Sequence, residues 1–213
     1  MKMKDIKTLI SSGVIIIAVA LYLIFADDPK DILPSTTSNE DVVTDQTEQV
    51  ILLNESEQKT GNKAQTVEFI SANDGDTINV KLDGEKKRVR LLMVDTPEMN
   101  YDKGEPMPFA EEAKNFTTSI LSNSSDIQLL FDKGPKTDKY DRLLAYIFVD
   151  GVSLQELLLQ EGYAAVVYVN KPNNTLEEEF LEIQKVAEES NANVWSLEGY
   201  FENNHFVKSY IEN

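Results

Sequence analysis

The sequence predicts an α+β domain: a small barrel of five or six short strands with a few helices, set behind an N-terminal apolar helix and a polar spacer. Three observations carry this. From Val67 onward, several short runs alternate apolar and polar residues with the period of two that marks strands. Other stretches repeat apolar residues every three or four positions, as one face of a helix does. Upstream, residues 9–25 carry no charge, and residues 27–65 are dominated by Asp, Glu, Ser, Thr, Asn and Gln.

Taken in order, residues 1–26 form the first segment. As a helix, the run 9–25 reaches about 25 Å, a little short of a hydrocarbon core of roughly 30 Å. Lys2, Lys4 and Lys7 precede it and Asp27 and Asp28 follow. The lysines favour the cytoplasmic side, which sends the rest of the chain outward as a signal anchor. A buried helix is the competing reading. Ala18-Val19-Ala20 has the small-x-small form of a cleavage site but lies inside the apolar run, so both an uncleaved anchor and a secreted product stay open. Residues 27–65 bury too little apolar surface to offset their ordering entropy and read as a flexible, disordered acidic linker; Val50–Leu53 could dock or form a brief helical turn.

The domain is expected over residues 66–198. Ile78, Val80 and Leu82, then Val89, Leu91 and Met93, mark two strands joined at Asp83-Gly84, a hairpin signal. Phe109, Ala113, Phe116 and Ile120 share one helix face. Ile127, Leu129 and Phe131 form another strand. Leu143–Val149 is a continuous apolar strand ending at the Asp150-Gly151 turn. Ser153 and Glu156 are spaced as a capping box for a Leu-rich helix that Gly162 is placed to end. Ala164–Val169 reads as a strand. Thr175 with Glu178 opens a last helix whose apolar face is Leu176, Phe180, Ile183 and Ala187. Residues 199–213 are left as a C-terminal tail.

Composition narrows the chemistry. The chain has no cysteine, which excludes disulfides, thiolate ligands and cysteine nucleophiles. Its one histidine, His205, lies in a polar stretch near the C-terminus, so histidine acid–base chemistry and the common zinc sites are not expected. Catalysis must rest on carboxylates, hydroxyls, lysine, arginine or a bound ion. The net charge of −17 means that a polyanion could be held only by a local basic cleft or a bridging cation.

Five charged residues in three patches fit such a cleft. Asp76 lies in Asp74-Gly75-Asp76-Thr77, where an ordinary turn is the simpler reading. Asp95 and Glu98 lie in Asp95-Thr96-Pro97-Glu98, where proline pushes Thr96 towards an extended corner that could expose its carbonyl and both acids. Arg90 sits within the apolar strand Val89–Val94 and needs a partner there, either Asp76, Asp95 or a ligand phosphate. Arg142 closes a basic stretch with Lys133, Lys136 and Lys139. Three carboxylates suit a hard divalent cation with one acid to spare as a base, and two arginines suit a phosphate whose charge grows in a transition state. Tyr168 could stack on a base.

The patches Asp74–Thr77, Arg90–Glu98 and Phe131–Ile147, continued by Tyr168–Thr175 and Asn193–Ser196, resemble the staphylococcal (micrococcal, thermonuclease-type) nuclease family over about residues 66–198. The resemblance implies an OB-fold barrel of five strands with three helices. It also implies calcium-dependent hydrolysis of DNA and RNA to 3′-phosphate ends. Asp76 and Asp95 match the family's calcium carboxylates, and Thr96 its carbonyl ligand. Glu98 matches the acid that orients or deprotonates the attacking water, and Arg90 and Arg142 the arginines on the phosphate. Lys139 and Tyr140 match a pair that contacts a substrate phosphate, and Tyr168 a tyrosine near the base and sugar.

Departures cluster at substrate contact: Asn170 for a second tyrosine, Pro135-Lys136 for a more polar pair, Asp141 for a glycine, and an acidic Met99–Pro108 for a lysine-rich loop. These bear on affinity and base preference, not on the reaction. The expectation is a monomeric, exported, membrane-anchored nuclease that uses Ca2+. A nuclease-like OB module that binds nucleic acid or protein without cutting is the alternative, and an acidic surface protein that merely binds calcium is a third reading.

Overall fold

The computed structural model describes residues 50–99 and 104–208. The apolar N-terminal run, most of the acidic linker and the segment around Asp102 and Lys103 lie outside them. Among the described residues no helix is long and apolar enough to cross a membrane.

The main sheet is built from β1 (Gln65–Thr66), β2 (Glu68–Ala72), β3 (Thr77–Leu82), β4 (Glu85–Leu91), β6 (Ile127–Leu130) and β7 (Leu143–Val149). Its order is β1-β6-β7-β4-β3-β2. The two ends of this ladder are separated in the chain by Val67 alone, so they are halves of one bent strand and the sheet curls round to meet itself. Counting them as one leaves five principal strands, an OB-like arrangement. All pairings in the ladder are antiparallel except β4 with β7. The hairpin turns form as their residues dictate. Asp83 (φ 52°) and Gly84 (φ 84°) join β3 to β4, and Asp150 (φ 50°) and Gly151 (φ 90°) join β7 to β8 (Val152–Ser153). Two consecutive positive φ angles match the right-handed twist of the flanking strands.

Among the described residues four α-helices surround the sheet: α1 (Leu53–Thr60), α2 (Ala110–Asn123), α3 (Leu154–Gln160) and α4 (Glu177–Glu189). The inner face of the barrel contributes Ile78, Val80, Val89, Leu129 and Ile147, and the helices Leu158 and Phe180, all fully buried. The buried row of α2 is Ala110, Ala113, Thr117 and Leu121, with Phe116 and Ile120 packed at its flank. The anticipated face is thus turned by one position, because small residues let the helix approach β2. On α4 the expected face holds: Leu176, Phe180 and Ala187 are buried and Ile183 packs against the core.

Several local expectations are corrected. The linker reading fails for residues 50–65, where the docking allowed for Val50–Leu53 is realised and continues as a helix. Ile51 is buried and its N–H donates to Glu156 Oε2 at 2.7 Å. α1 follows, tied to α4 by a Lys59–Glu179 ion pair. Ser153 Oγ accepts from Glu156 N at 3.3 Å, the expected cap, while the Glu156 carboxylate also serves Ile51. Thr175 does not cap α4, because its hydroxyl donates to Asp132 Oδ1 and its N–H to Asp132 Oδ2. The strand expected over 164–169 shrinks to β9 (Ala165–Val166), paired with β5 (Val94–Asp95). The C-terminal tail is a hairpin of β10 (Phe201–Glu202) and β11 (His205–Phe206), whose Tyr200 and Phe206 pack with Met107, Ala110, Ala165 and Val194 in a second apolar cluster.

Candidate active site

Strand register brings the three patches together. In the β3–β4 ladder Thr77 faces Arg90, which sets Asp76 beside that arginine. In the parallel β4–β7 ladder Arg90 faces Leu144, two residues beyond Arg142. β5 pairs with β9, and the Val167 N–H donates to the Met93 carbonyl, which carries Tyr168 over the same spot. The Arg90 guanidinium carbon lies 5.7 Å from the Tyr168 ring centre. Gly75 is required for the tight entry to β3, since a Cβ there would sit 2.7 Å from Thr96 Cγ2 and 2.9 Å from Ala113 Cβ.

Arg90 is the hub. Its side chain is only 10% exposed, and Nη2 donates to Asp95 Oδ1 at 2.6 Å. Nε lies 3.4 Å from Asp76 Oδ1, and Nη1 donates to the carbonyls of Leu91 and Val94. The ion-pair reading of Arg90 is therefore what the geometry shows: both Asp76 and Asp95 partner it, and the two carbonyls hold its guanidinium rigidly. Asp76 Oδ2 accepts from the Thr96 N–H at 2.8 Å and from its hydroxyl at 3.3 Å; Oδ1 accepts from the Thr77 hydroxyl. The corner at Asp95-Thr96 does not open to solvent as the proline suggested. Asp95 and Thr96 are buried, and only Glu98 is exposed.

The electrostatics are lopsided. Burial, then the neighbouring Asp76 charge, push the Asp74 carboxyl up to about 8. The same two causes raise Asp95 and Glu98. The Arg90 pKa is raised as well, which for a base favours the charged form: burial disfavours its charge, but Asp76 and Asp95 outweigh that. Four carboxyls thus surround one buried cation, and Asp74 Oδ1 is buried without a hydrogen-bond partner. Among the described residues no three acidic or imidazole groups are already gathered into a coordination shell, because Arg90 and Thr96 engage the oxygens of Asp76 and Asp95. Even so, an all-oxygen donor set, an orphaned carboxylate oxygen and a deficit of positive charge fit a hard divalent cation.

Asp74 was passed over in the sequence because Asp-Gly is so common a turn; its signal was the second acid two residues on. Lys208 was also missed, and its positive charge acts on Glu98 to lower that acid's pKa. The hairpin places it there. Tyr200 Oη donates to the Pro108 carbonyl at 2.7 Å, and the Met107 N–H donates to the Glu98 carbonyl at 3.1 Å.

The remaining predicted residues lie on two loops. Tyr140 is 60% and Tyr168 63% exposed, large rings offered to solvent. Tyr140 carries Lys139 Nζ at 4.9 Å and Arg142 Cζ at 5.6 Å from its ring centre. The loops are fastened to one another by Asn173, whose Oδ1 accepts from Gly134 N–H at 2.7 Å and whose Nδ2 donates to the Pro135 carbonyl at 2.9 Å. Asn170 donates to the Tyr168 carbonyl at 2.8 Å, steadying a residue held at φ 54°.

Comparison with known proteins gives a family match and three relatives. A family model described as staphylococcal nuclease homologue matches residues 88–197. An uncharacterized protein of Bacillus anthracis is 44% identical over 138 residues, which is 64% of each chain. Endonuclease YncB of Bacillus subtilis is 42% identical over 160 residues, 72% of this chain and 75% of that one. Thermonuclease of Staphylococcus hyicus is 36% identical over 132 residues, 62% of this chain and 76% of its own.

Proposed function

Because the chain belongs to the staphylococcal nuclease family, we propose that it is a nuclease that uses calcium to hydrolyse the phosphodiester bonds of DNA and RNA, leaving 3′-phosphate ends. The observation that carries this reading is the hub itself: a buried Arg90 between Asp76 and Asp95, roofed by Tyr168 and register-matched to Arg142. Asp76, Asp95 and the Thr96 carbonyl would hold the ion, with the unpartnered oxygen of Asp74 behind them. Calcium, when bound, supplies the positive charge these acids lack and draws electron density from the phosphate.

The chain's own residues do the rest. Glu98, its pKa raised by partial desolvation of the carboxyl and by the Asp76 charge, takes a proton from the attacking water. The water oxygen bonds to phosphorus, the bond to the 5′ oxygen breaks, and that oxygen leaves with a proton from solvent. Arg90 and Arg142 hold the non-bridging oxygens as negative charge builds on them, an interaction stronger in the transition state than in the ground state. Tyr140 and Tyr168 offer faces to the flanking sugar and base, and Lys139 a charge to the next phosphate.

The test is digestion of labelled single- and double-stranded DNA and RNA by the full chain, with calcium and with a chelator. Calcium-dependent cuts bearing 3′-phosphates are expected. Binding without cleavage would support the non-catalytic module instead. Export and anchoring rest on residues 9–25 and the three preceding lysines; alkaline extraction of membranes that releases the protein would remove the anchor from the proposal.

A further inference from the structure

The chain has three arginines, Arg88, Arg90 and Arg142, against 17 lysines, and two of the three belong to the site. Arg90 is fixed by burial. Arg142 is not, for it sits in a loop with its side chain 25% exposed, and something else must aim it. That loop closes on itself. Thr137 bridges Leu143, the Asp138 N–H donates to the Arg142 carbonyl at 3.0 Å, and the Asp141 N–H donates to the Asp138 carbonyl at 3.1 Å. Inside it, Asp138 Oδ1 accepts from the N–H groups of both Tyr140 and Arg142 at 2.9 Å. Asp138 Oδ2 accepts from Arg142 Nε at 2.7 Å.

We propose that Asp138 is the positioning residue of this site: it occupies Nε of Arg142, so that the two terminal nitrogens are presented as a fork to a phosphate, and it fixes Tyr140 through the same carboxylate. The inference rests on the nuclease reading above. Among the described residues no hydrogen bond engages Nη1 or Nη2 of Arg142. An acid beside a phosphate-binding arginine weakens the arginine's field, so electrostatics alone gives no reason for it. Its return is orientation, since a guanidinium gripped at Nε loses rotamer freedom before the substrate arrives. The carboxylate is suited to this task. Burial pushes its pKa up, but the Arg142 and Tyr140 amides and the guanidinium outweigh burial and hold it below the ordinary aspartate range.

Asp138→Asn separates the two functions of the carboxylate. The amide oxygen can still accept the two backbone N–H groups, whereas the amide nitrogen cannot accept from Nε. In the full chain, kcat should fall about tenfold to a hundredfold while KM changes less than about twofold, the signature of lost aim in the transition state. In an Arg142→Ala background the same change should do nothing further, because Asp138 acts through Arg142. Proton–nitrogen NMR supplies a readout independent of cleavage: with three arginines the Nε–H signals are assignable, and that of Arg142 should exchange slowly in the wild type and rapidly in D138N. Wild-type kcat in D138N, an equal loss in both backgrounds, or an unprotected Arg142 Nε–H in the wild type would each overturn the proposal while leaving the nuclease reading standing. A wild-type protein that does not cleave overturns that reading and the catalytic use of the pair with it.

Discussion

The two arginines proposed to hold the phosphate should fail in different ways when removed. Arg90→Ala deletes a guanidinium that serves Asp95, Asp76 and two backbone carbonyls in a pocket only about a tenth exposed. Left behind are uncompensated buried acids and unsatisfied carbonyls, and breaking a buried ion pair from one side costs about 3–5 kcal/mol. We do not add the carbonyls at full value, because Asp95, already raised by burial, takes up a proton rather than remain an unpaired anion. For a fold of this size, each kcal/mol lowers Tm by about 2–4 °C, so a drop of about 6–20 °C is expected. Arg142→Ala severs one partly buried pair and should cost about 1 kcal/mol, a few degrees. Both variants should lose about a hundredfold to a thousandfold in kcat, since one donor on developing charge is worth about 3–4 kcal/mol. Thermal melting by circular dichroism, paired with single-turnover cleavage of a labelled oligonucleotide, measures both quantities. A Tm for Arg90→Ala within 2 °C of wild type, by this ~3–5 kcal/mol reasoning, would refute the buried hub.

Further outcomes follow from other parts of the structure. Gly75→Ala should destabilise by about 1–3 kcal/mol through overpacking and should lower kcat as Thr96 is pushed from Asp76, read by melting and initial rates. Removal of residues 1–65 should cost about 3–5 kcal/mol against removal of residues 1–48, since it strips buried Ile51 and the N–H that satisfies Glu156; denaturant midpoints decide it. Lys208→Gln should weaken nucleic-acid binding and reduce the salt slope of the binding constant by about 1, because it removes one cation beside Glu98. The Asp138 anchor should survive acid: stability from a depressed carboxylate is complete above its unfolded pKa and is lost only as pH falls through its folded pKa. The protected Arg142 Nε–H should therefore persist to a pH below the ordinary aspartate value, followed by NMR titration.

What could be read from the sequence is what neighbours in sequence decide. Asp83-Gly84 and Asp150-Gly151 make their hairpins because two adjacent residues suffice to set the turn. Arg90, Asp95 and Glu98 were legible because strand, corner and acid follow within nine residues. The misreadings share another cause. Residues 50–65 look like a spacer because their anchor, Glu156, lies 105 residues from Ile51. The C-terminal hairpin looked like a tail because Tyr200 finds its burial and its Pro108 partner 92 residues upstream. Thr175 resembled a helix cap until Asp132, 43 residues away, took its hydroxyl. Local propensity was overruled wherever a distant polar partner was worth more than the local one.

The parallel pairing of β4 with β7 has one more consequence, for how such a protein can change. The offset between Arg90 and Arg142 is counted in strand rungs, not in the length of chain that joins them. Residues gained or lost between β5 and α2 leave that rung count unchanged, whereas the stretch from Asp132 to Lys136 is tied to Thr175, Asn173 and Leu144. A single residue inserted between Arg142 and Ala145 would instead shift Arg142 out of its register with Arg90. The stretch where an acidic sequence stands for a lysine-rich loop, 99–108, falls in the tolerant region. Substrate preference can drift there while the spacing that the chemistry needs is inherited unchanged.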